Sequence, residues 1–261
     1  MSDNQWETAN AEGARLYESG HYIEAEQRLR AALLEVEKYG PKDSRVAVVL
    51  NNLGSLSHNQ GKRDEAAACY QRALSIREGY YGPHHPWVAQ SLNNLASLYR
   101  ELGKYDEAET FLQRALKIAE TLVGPNHYRI TNCLNNLAAV YMGQERYEEA
   151  ESLFQRSLDI RQRALGSMHP AVATSLSGLA ELAVAQGKNT DADSLFQRAL
   201  QIREEKLGAD HPAVAVLLEK YAALLQKLNR ETQAGEMEVR AKDIRSKQAQ
   251  PQAEERNTKS P

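Results

Sequence analysis

The sequence predicts an all-α fold in which antiparallel helix pairs stack into a right-handed superhelical solenoid. Three observations support this prediction: an internal repeat, two amphipathic segments within each repeat, and small residues where those segments would cross. The repeat is clearest in one alanine that recurs every 42 residues, at Ala66, Ala108, Ala150 and Ala192, with Ala25 and Ala234 on either side. We therefore predict six helix pairs, near residues 6–40, 41–82, 83–124, 125–166, 167–208 and 209–248.

Two sequence phrases keep the same step. The first reads "LNNLG" at 50–54, "LNNLA" at 92–96 and again at 134–138, and "LSGLA" at 176–180. The second is a turn phrase that reads "GPHHP", "GPNHY", "GSMHP" and "GADHP" from Gly82, Gly124, Gly166 and Gly208. Its glycine predicts a left-handed helix cap, and Pro86, Pro170 and Pro212 suit the first position of the next helix.

The third repeat illustrates how each helix pair is built. Its first helix has one apolar side, formed by Val88, Leu92, Leu95, Ala96 and Tyr99, and ends at Gly103. Its second helix starts near Tyr105 and is apolar at intervals of three and four residues. The two helices are expected to cross closely at Ala96, Ala108 and Ala115, where larger side chains would cost roughly 1–3 kcal/mol.

The C-terminal end departs from the repeat. Glu238 stands where earlier repeats have Leu112, Phe154 and Phe196, so the last helix, near 231–247, is expected to cap the solenoid with a polar outer surface. We assign residues 1–248 to the repeat domain. The remaining segment, 249–261, has no large apolar residue and is expected to be a disordered tail.

The pattern "LA..Y...GKYDEAE..L..AL" resembles the tetratricopeptide repeat, lengthened here to 42 residues. With "HPAVA" at its start and "RALQIREEKLG" at its end, the repeat looks more specifically like the cargo-binding domain of kinesin light chains. That resemblance implies a motor-associated adaptor that grips short cargo peptides, with the kinesin heavy chain as an implied partner. Kinesin light chains carry a heptad coiled coil before their repeats, whereas no heptads precede Trp6 here.

Composition and motifs disfavour several other classes of protein. A net charge of −3 with interspersed signs gives no basic stripe for nucleic acid. No apolar run is long enough to span a bilayer, and the N-terminus is not signal-like, so we expect a cytoplasmic protein without membrane insertion. Cys69 and Cys133 are expected to be reduced thiols. The histidines of the turn phrase, His85, His127, His169 and His211, are too far apart to share one zinc ion and are assigned to turn packing.

No phosphate-binding glycine loop and no catalytic set of residues is evident. We therefore expect a protein that is not an enzyme and needs no cofactor. Its partners are expected to be proteins or peptides.

The asparagine of each first helix is the best candidate for contact with a partner. Asn93 falls on the side opposite Leu95 and Tyr99, which lines the inner groove in such solenoids. An amide can match both the N–H and the C=O of an extended peptide, and asparagine costs a helix roughly 0.6 kcal/mol relative to alanine. The predicted groove residues are Asn51, Asn93, Asn135, Gln90, Ser97, Arg100, Asn132, Thr174, Lys220 and Lys227.

Several alternatives stay open beside this hypothesis. The second asparagines, Asn52, Asn94 and Asn136, are better explained by bonds to the backbone of a neighbouring repeat. Lys220 and Lys227 would favour acidic segments of a partner. Binding of chaperone C-termini is disfavoured, because asparagine stands where the first lysine of that clamp is required. A structural scaffold that self-associates is the alternative to a peptide-binding adaptor.

Overall fold

The computed structural model describes residues 5–249, and within this range it confirms the predicted all-α fold. The described residues form two compact bodies, an N-terminal body that ends at Pro125 and a C-terminal body that begins at Asn126. The predicted disordered tail, 249–261, lies outside the described residues except for Ala249.

The N-terminal body contains three antiparallel helix pairs. The helices are α1 (Gln5–Glu18), α2 (Tyr22–Glu37), α3 (Ser44–Asn59), α4 (Arg63–Tyr81), α5 (Pro86–Glu101) and α6 (Tyr105–Val123). Leu29, Val46 and Leu56 are almost fully buried in a core that α2, α3 and α4 share.

The C-terminal body also contains three pairs, preceded by a short 3-10 helix (Tyr128–Ile130). Its helices are α7 (Thr131–Gly143), α8 (Tyr147–Leu165), α9 (Pro170–Ala185), α10 (Asn189–Leu207), α11 (Pro212–Lys227) and α12 (Glu231–Ala249). Phe196 and Leu218 lie at the centre of its core, and α12 contributes the buried side chain of Ile244. Glu238 is exposed on α12, where other second helices have a buried apolar residue.

Small residues bring the two helices of each pair together, as the sequence predicts. Ala96 and Ala108 are completely buried where α5 crosses α6. In the preceding pair, a Cβ atom on Gly54 would lie 2.6 Å from the Tyr70 ring. That distance is shorter than any comfortable contact, so glycine is required by the close approach of α3 and α4.

The connections between helix pairs repeatedly use a glycine where one helix ends and a proline where the next one begins. Pro86, Pro170 and Pro212 occupy the first turn of α5, α9 and α11, as predicted. Gly82 ends α4 with φ 83° but ψ 164°, and Gly124 ends α6 with φ 89° and ψ 160°. The positive φ was predicted; the extended ψ was not, and it places these residues in a region that is essentially restricted to glycine.

None of the helices among residues 5–249 is both long enough and apolar enough to cross a bilayer.

Candidate peptide-binding surface

The asparagine pairs of the N-terminal body form hydrogen bonds from one repeat to the next. The Asn52 Nδ2 group donates to Asn10 Oδ1 at 2.9 Å, and Asn94 Nδ2 donates to Asn51 Oδ1 at 2.7 Å. Each bond therefore joins the second asparagine of one first helix to the first asparagine of the preceding first helix. Asn52 and Asn94 bond to the neighbouring repeat as predicted, but the prediction of a backbone partner is wrong, because both partners are side-chain amides.

In the Asn51–Asn94 pair, each side-chain amide uses one of its two polar atoms and leaves the other available for a hydrogen bond. Asn51 uses its oxygen for Asn94, and among the described residues its Nδ2 group has no hydrogen-bond partner. Asn94 uses its nitrogen, and its own oxygen is likewise left as an acceptor. Because the bond fixes both side chains, the pair presents the N–H donors of Asn51 and the C=O acceptor of Asn94 in a set arrangement.

The other predicted residues of the N-terminal body lie beside Asn93 on α5. Asn93, Ser97 and Arg100 are half-buried, and Gln90 is exposed. Gln90 is also tied to the fold, since its Oε1 accepts a hydrogen bond from Arg77 at 3.1 Å. Helices α3 and α5 are in contact, so the structure brings these residues and Asn51 together on adjacent first helices.

The C-terminal ends of α3 and α5 carry a polar group around His58 and Glu101. His58 Nε2 and Glu101 Oε2 are 2.7 Å apart, and Asn59 donates to the hydroxyl of Tyr17. Arg100 lies 3.9 Å from the Glu101 carboxylate. The row of amides therefore ends at a charged cluster.

Asn135 of the C-terminal body does not occupy the open position that the sequence suggested. It is only 8% exposed and donates to Ser175 Oγ at 3.3 Å. Ser175 lies on the next first helix, α9. The Asn135 amide is therefore engaged inside this body.

Ser175 also belongs to a buried network around Arg161. The Arg161 guanidinium donates to Asn132 Oδ1 at 2.7 Å, to the Ala171 carbonyl at 2.7 Å and to Thr131 Oγ1 at 2.9 Å. All these acceptors are neutral, and burial lowers the pKa of Arg161 to about 10. Asn132 itself is exposed, but its oxygen holds Arg161 in place.

Sequence reasoning missed Arg161 and the arginines at equivalent positions. Arg77 and Arg203 occupy the same repeat position as Arg161, and each donates to a backbone carbonyl near the start of the following first helix, Trp87 or Ala213. The available signal was an arginine at three of four positions in 42-residue register, with Ala119 as the exception, on an otherwise apolar helix side.

The remaining predicted residues of the C-terminal body lie on α9 and α11. Thr174 is exposed on α9. Lys220 is exposed but lies 2.6 Å from Glu181, so its charge is already paired within the chain. Lys227 is exposed and has no ion pair among the residues that the structure describes.

The turn histidines cap helices, in agreement with their assignment to turn packing. His85, His127, His169 and His211 each accept a hydrogen bond on Nδ1 from the backbone N–H two residues later. Asp43 does the same for α3 with its carboxylate. Among residues 5–249, no three His, Cys, Asp or Glu side chains are grouped closely enough to hold a metal ion.

Comparison with known proteins places this geometry in a family. The protein-family model described as "Tetratricopeptide repeat" matches residues 7–78, 45–121, 129–205 and 172–247. No curated protein sequence matches the chain significantly.

Solved structures share the fold at low sequence identity. BtubC (BKLC) from P. vanneervenii is 22% identical, with a TM-score of 0.65, and the match covers 89% of this chain and 92% of that one. A Podosopora anserina chain of nearly identical TPR-like repeats, classed with the kinesin light chains, is 23% identical (TM-score 0.58; 76% and 93% covered). A Rap protein complexed with Competence and Sporulation Factor is 17% identical (TM-score 0.67; 95% and 77% covered).

Proposed function

Because the chain belongs to the tetratricopeptide repeat family, we propose that it is a non-enzymatic adaptor that binds an extended peptide segment of a partner protein. The contact surface is the side of the first helices that carries the asparagines. In the N-terminal body it comprises Asn51, Asn93, Gln90, Ser97 and Arg100.

The fixed amide pairs are the observation that carries this proposal. The Asn51 and Asn94 pair offers a donor and an acceptor, which matches the alternating C=O and N–H groups of an extended chain. The Asn10 and Asn52 pair repeats the arrangement one repeat earlier. Hydrogen bonds to a peptide backbone give affinity without requiring a particular side chain, so these pairs favour a broad range of sequences.

Selectivity is assigned to polar and charged residues near the ends of the first helices. His58, Arg100 and Glu101 lie together in the N-terminal body. In the C-terminal body, Asn132 and Thr174 are exposed, and Lys227 provides a positive charge without a partner among the described residues. Since Lys220 is neutralised by Glu181, Lys227 is the stronger candidate for an acidic segment.

The finer proposal is a cargo adaptor of the kinesin light chain type, acting in the cytoplasm. Its support is the similarity of the repeat phrases and of the fold to a chain classed with that family. A kinesin heavy chain is not part of the proposal. The second candidate, a self-associating scaffold, is favoured by a separate surface described below.

The test is to select peptides from a random display library on the full chain and to measure their affinities by fluorescence anisotropy. Replacing Asn51 with alanine removes the free donor and also the partner of Asn94. We expect affinity to fall about 2–10-fold, the effect of one hydrogen bond, and further in the double variant Asn51→Ala with Asn93→Ala.

Gln113→Ala on α6 is the matched control, because it removes an exposed amide from a second helix. Its affinity should equal that of the wild type. Peptides that bind all these variants equally well would show that the first helices do not form the peptide site.

A further inference from the structure

A row of exposed apolar residues follows one edge of the N-terminal body. Tyr80 is 63% exposed, Tyr81 38% and Trp87 47%, all at the turn between α4 and α5. Tyr39, 47% exposed, occupies the position of Tyr81 one repeat earlier, and Leu122, 50% exposed, occupies the position of Tyr80 one repeat later. We call these five residues the apolar edge.

The rings at the centre of this edge contact one another. Tyr80 and Tyr81 pack edge to face with ring centres 4.7 Å apart, and Tyr81 stacks on His85 at 4.4 Å. Arg77 contacts Trp87 in two ways. Its guanidinium lies 5.3 Å from the centre of the indole ring, and it donates a hydrogen bond to the Trp87 carbonyl. Tyr81 and Trp87 are therefore packed against other side chains of the body, which lowers the conformational entropy that they would lose on binding.

The C-terminal body has the exposed ring of Tyr128 at an equivalent turn, but no row of such residues among those that the structure describes. The positions equivalent to Tyr80 hold Ala164 and Lys206, and those equivalent to Trp87 hold Arg129, Ala171 and Ala213. The apolar edge is therefore not a by-product of the repeat. Tyrosine and tryptophan are also the residues that most often dominate the energy of protein interfaces.

The electrostatics of the edge favour a neutral partner. Arg45 lies over the Tyr39 ring and is paired with Asp43 at 2.9 Å, and Arg114 is paired with Glu78 at 2.6 Å. Residues 79–87, "GYYGPHHPW", contain no Lys, Arg, Asp or Glu. Two copies of this surface can meet without the repulsion that like charges would cause.

The area is also sufficient for two copies. The exposed fractions of the five residues amount to roughly 500 Å², taking about 200 Å² for each large side chain. Two such patches would bury roughly 1,000 Å², which is the lower limit for a specific interface.

We propose that the apolar edge binds a second copy of this chain in an isologous dimer. In such an interface the same residues come from both copies, so the aromatic rings of one edge meet those of the other in the edge-to-face contacts that such rings prefer. The small area makes the dimer reversible. The proposal does not depend on the peptide-binding function.

Sedimentation velocity of the full chain over a range of concentrations tests this inference. We expect a monomer and a dimer in exchange for the wild type. Tyr80→Glu should weaken the dimer at least tenfold, because it places two like charges in one interface, and Leu122→Glu should act in the same direction. Ile23→Glu is the matched control, since Ile23 is 72% exposed at the opposite end of α2, and it should dimerise like the wild type.

Two results would overturn the proposal: a wild type that stays monomeric at the highest concentration, or a dimer that neither Tyr80→Glu nor Leu122→Glu weakens. A third result would also overturn it. If the monomeric chain bound a polyproline peptide and Tyr80→Glu abolished that binding, the edge would be a site for proline-rich segments.

Discussion

Glu145 adopts a backbone conformation that a glycine holds in neighbouring repeats. Its φ is 61°, whereas Gly61, Gly103 and Gly187 occupy the equivalent position with φ between 71° and 75°. A side chain in this left-handed region costs about 1–2 kcal/mol. The turn between α7 and α8 therefore holds Glu145 in a strained conformation.

Replacing Glu145 with glycine should stabilise the protein. We expect the free energy of unfolding to rise by roughly 0.5–1 kcal/mol, after allowing for the greater backbone entropy that glycine loses. Urea denaturation monitored by circular dichroism measures the change. Glu148→Gly, in the first turn of α8, is the control and should destabilise by about 1 kcal/mol; a loss of stability in both variants would contradict the assignment of strain.

Asn135 shows where residue-level prediction from sequence stops. The phrase "LNNLA" is identical at 92–96 and 134–138, and it predicted one role for both first asparagines. Asn135 is nevertheless buried and donates to Ser175, which also accepts a hydrogen bond from Arg161. The phrase fixes the direction of the side chain, whereas its exposure depends on residues that are distant in sequence.

At the scale of the helix, His169 caps the N-terminus of α9, and another hydrogen-bond acceptor should be able to replace it. Its Nδ1 atom accepts the Ala171 N–H at 3.1 Å, and Asp43 performs the same task for α3 at 2.9 Å. His169→Ala should lower the free energy of unfolding by about 1 kcal/mol. His169→Asp should restore it, because a carboxylate accepts the same bond and suits the positive end of the helix dipole.

Urea denaturation of both variants measures this difference. If alanine and aspartate at position 169 gave the same stability, the hydrogen bond to Ala171 would not be the function of the side chain. The comparison separates the cap from the loss of the imidazole ring, which both variants share.

Helix positions were predictable because local chemistry determines them. The 42-residue register located the helix pairs, and proline and histidine marked where α5, α9 and α11 begin. Contacts between repeats were less predictable. Asn52 and Asn94 were expected to bond to backbone, but the facing helix places another asparagine within reach. No periodicity in a single helix contains that information.

At the scale of the whole chain, stability is expected to be unevenly distributed. A repeat protein is stabilised mainly by contacts between neighbouring elements, so a helix with fewer packed neighbours opens more easily. In the N-terminal body, Gly13 is the buried residue of α1, whereas α3 buries eight residues. In the C-terminal body, α12 buries Ala234, Ala241 and Ile244, whereas α9 buries nine residues.

Hydrogen exchange measured by mass spectrometry should reproduce this order within each body. We expect the amides of α1 to exchange faster than those of α3, and the amides of α12 faster than those of α9, because opening the end helices exposes little apolar surface. The variant Val49→Ala removes apolar volume from the packed side of α3 and should speed exchange in α3 more than in α1. Uniform protection across α1 and α3 would instead mean that the N-terminal body opens only as one cooperative element, and that burial within single helices does not set their local stability.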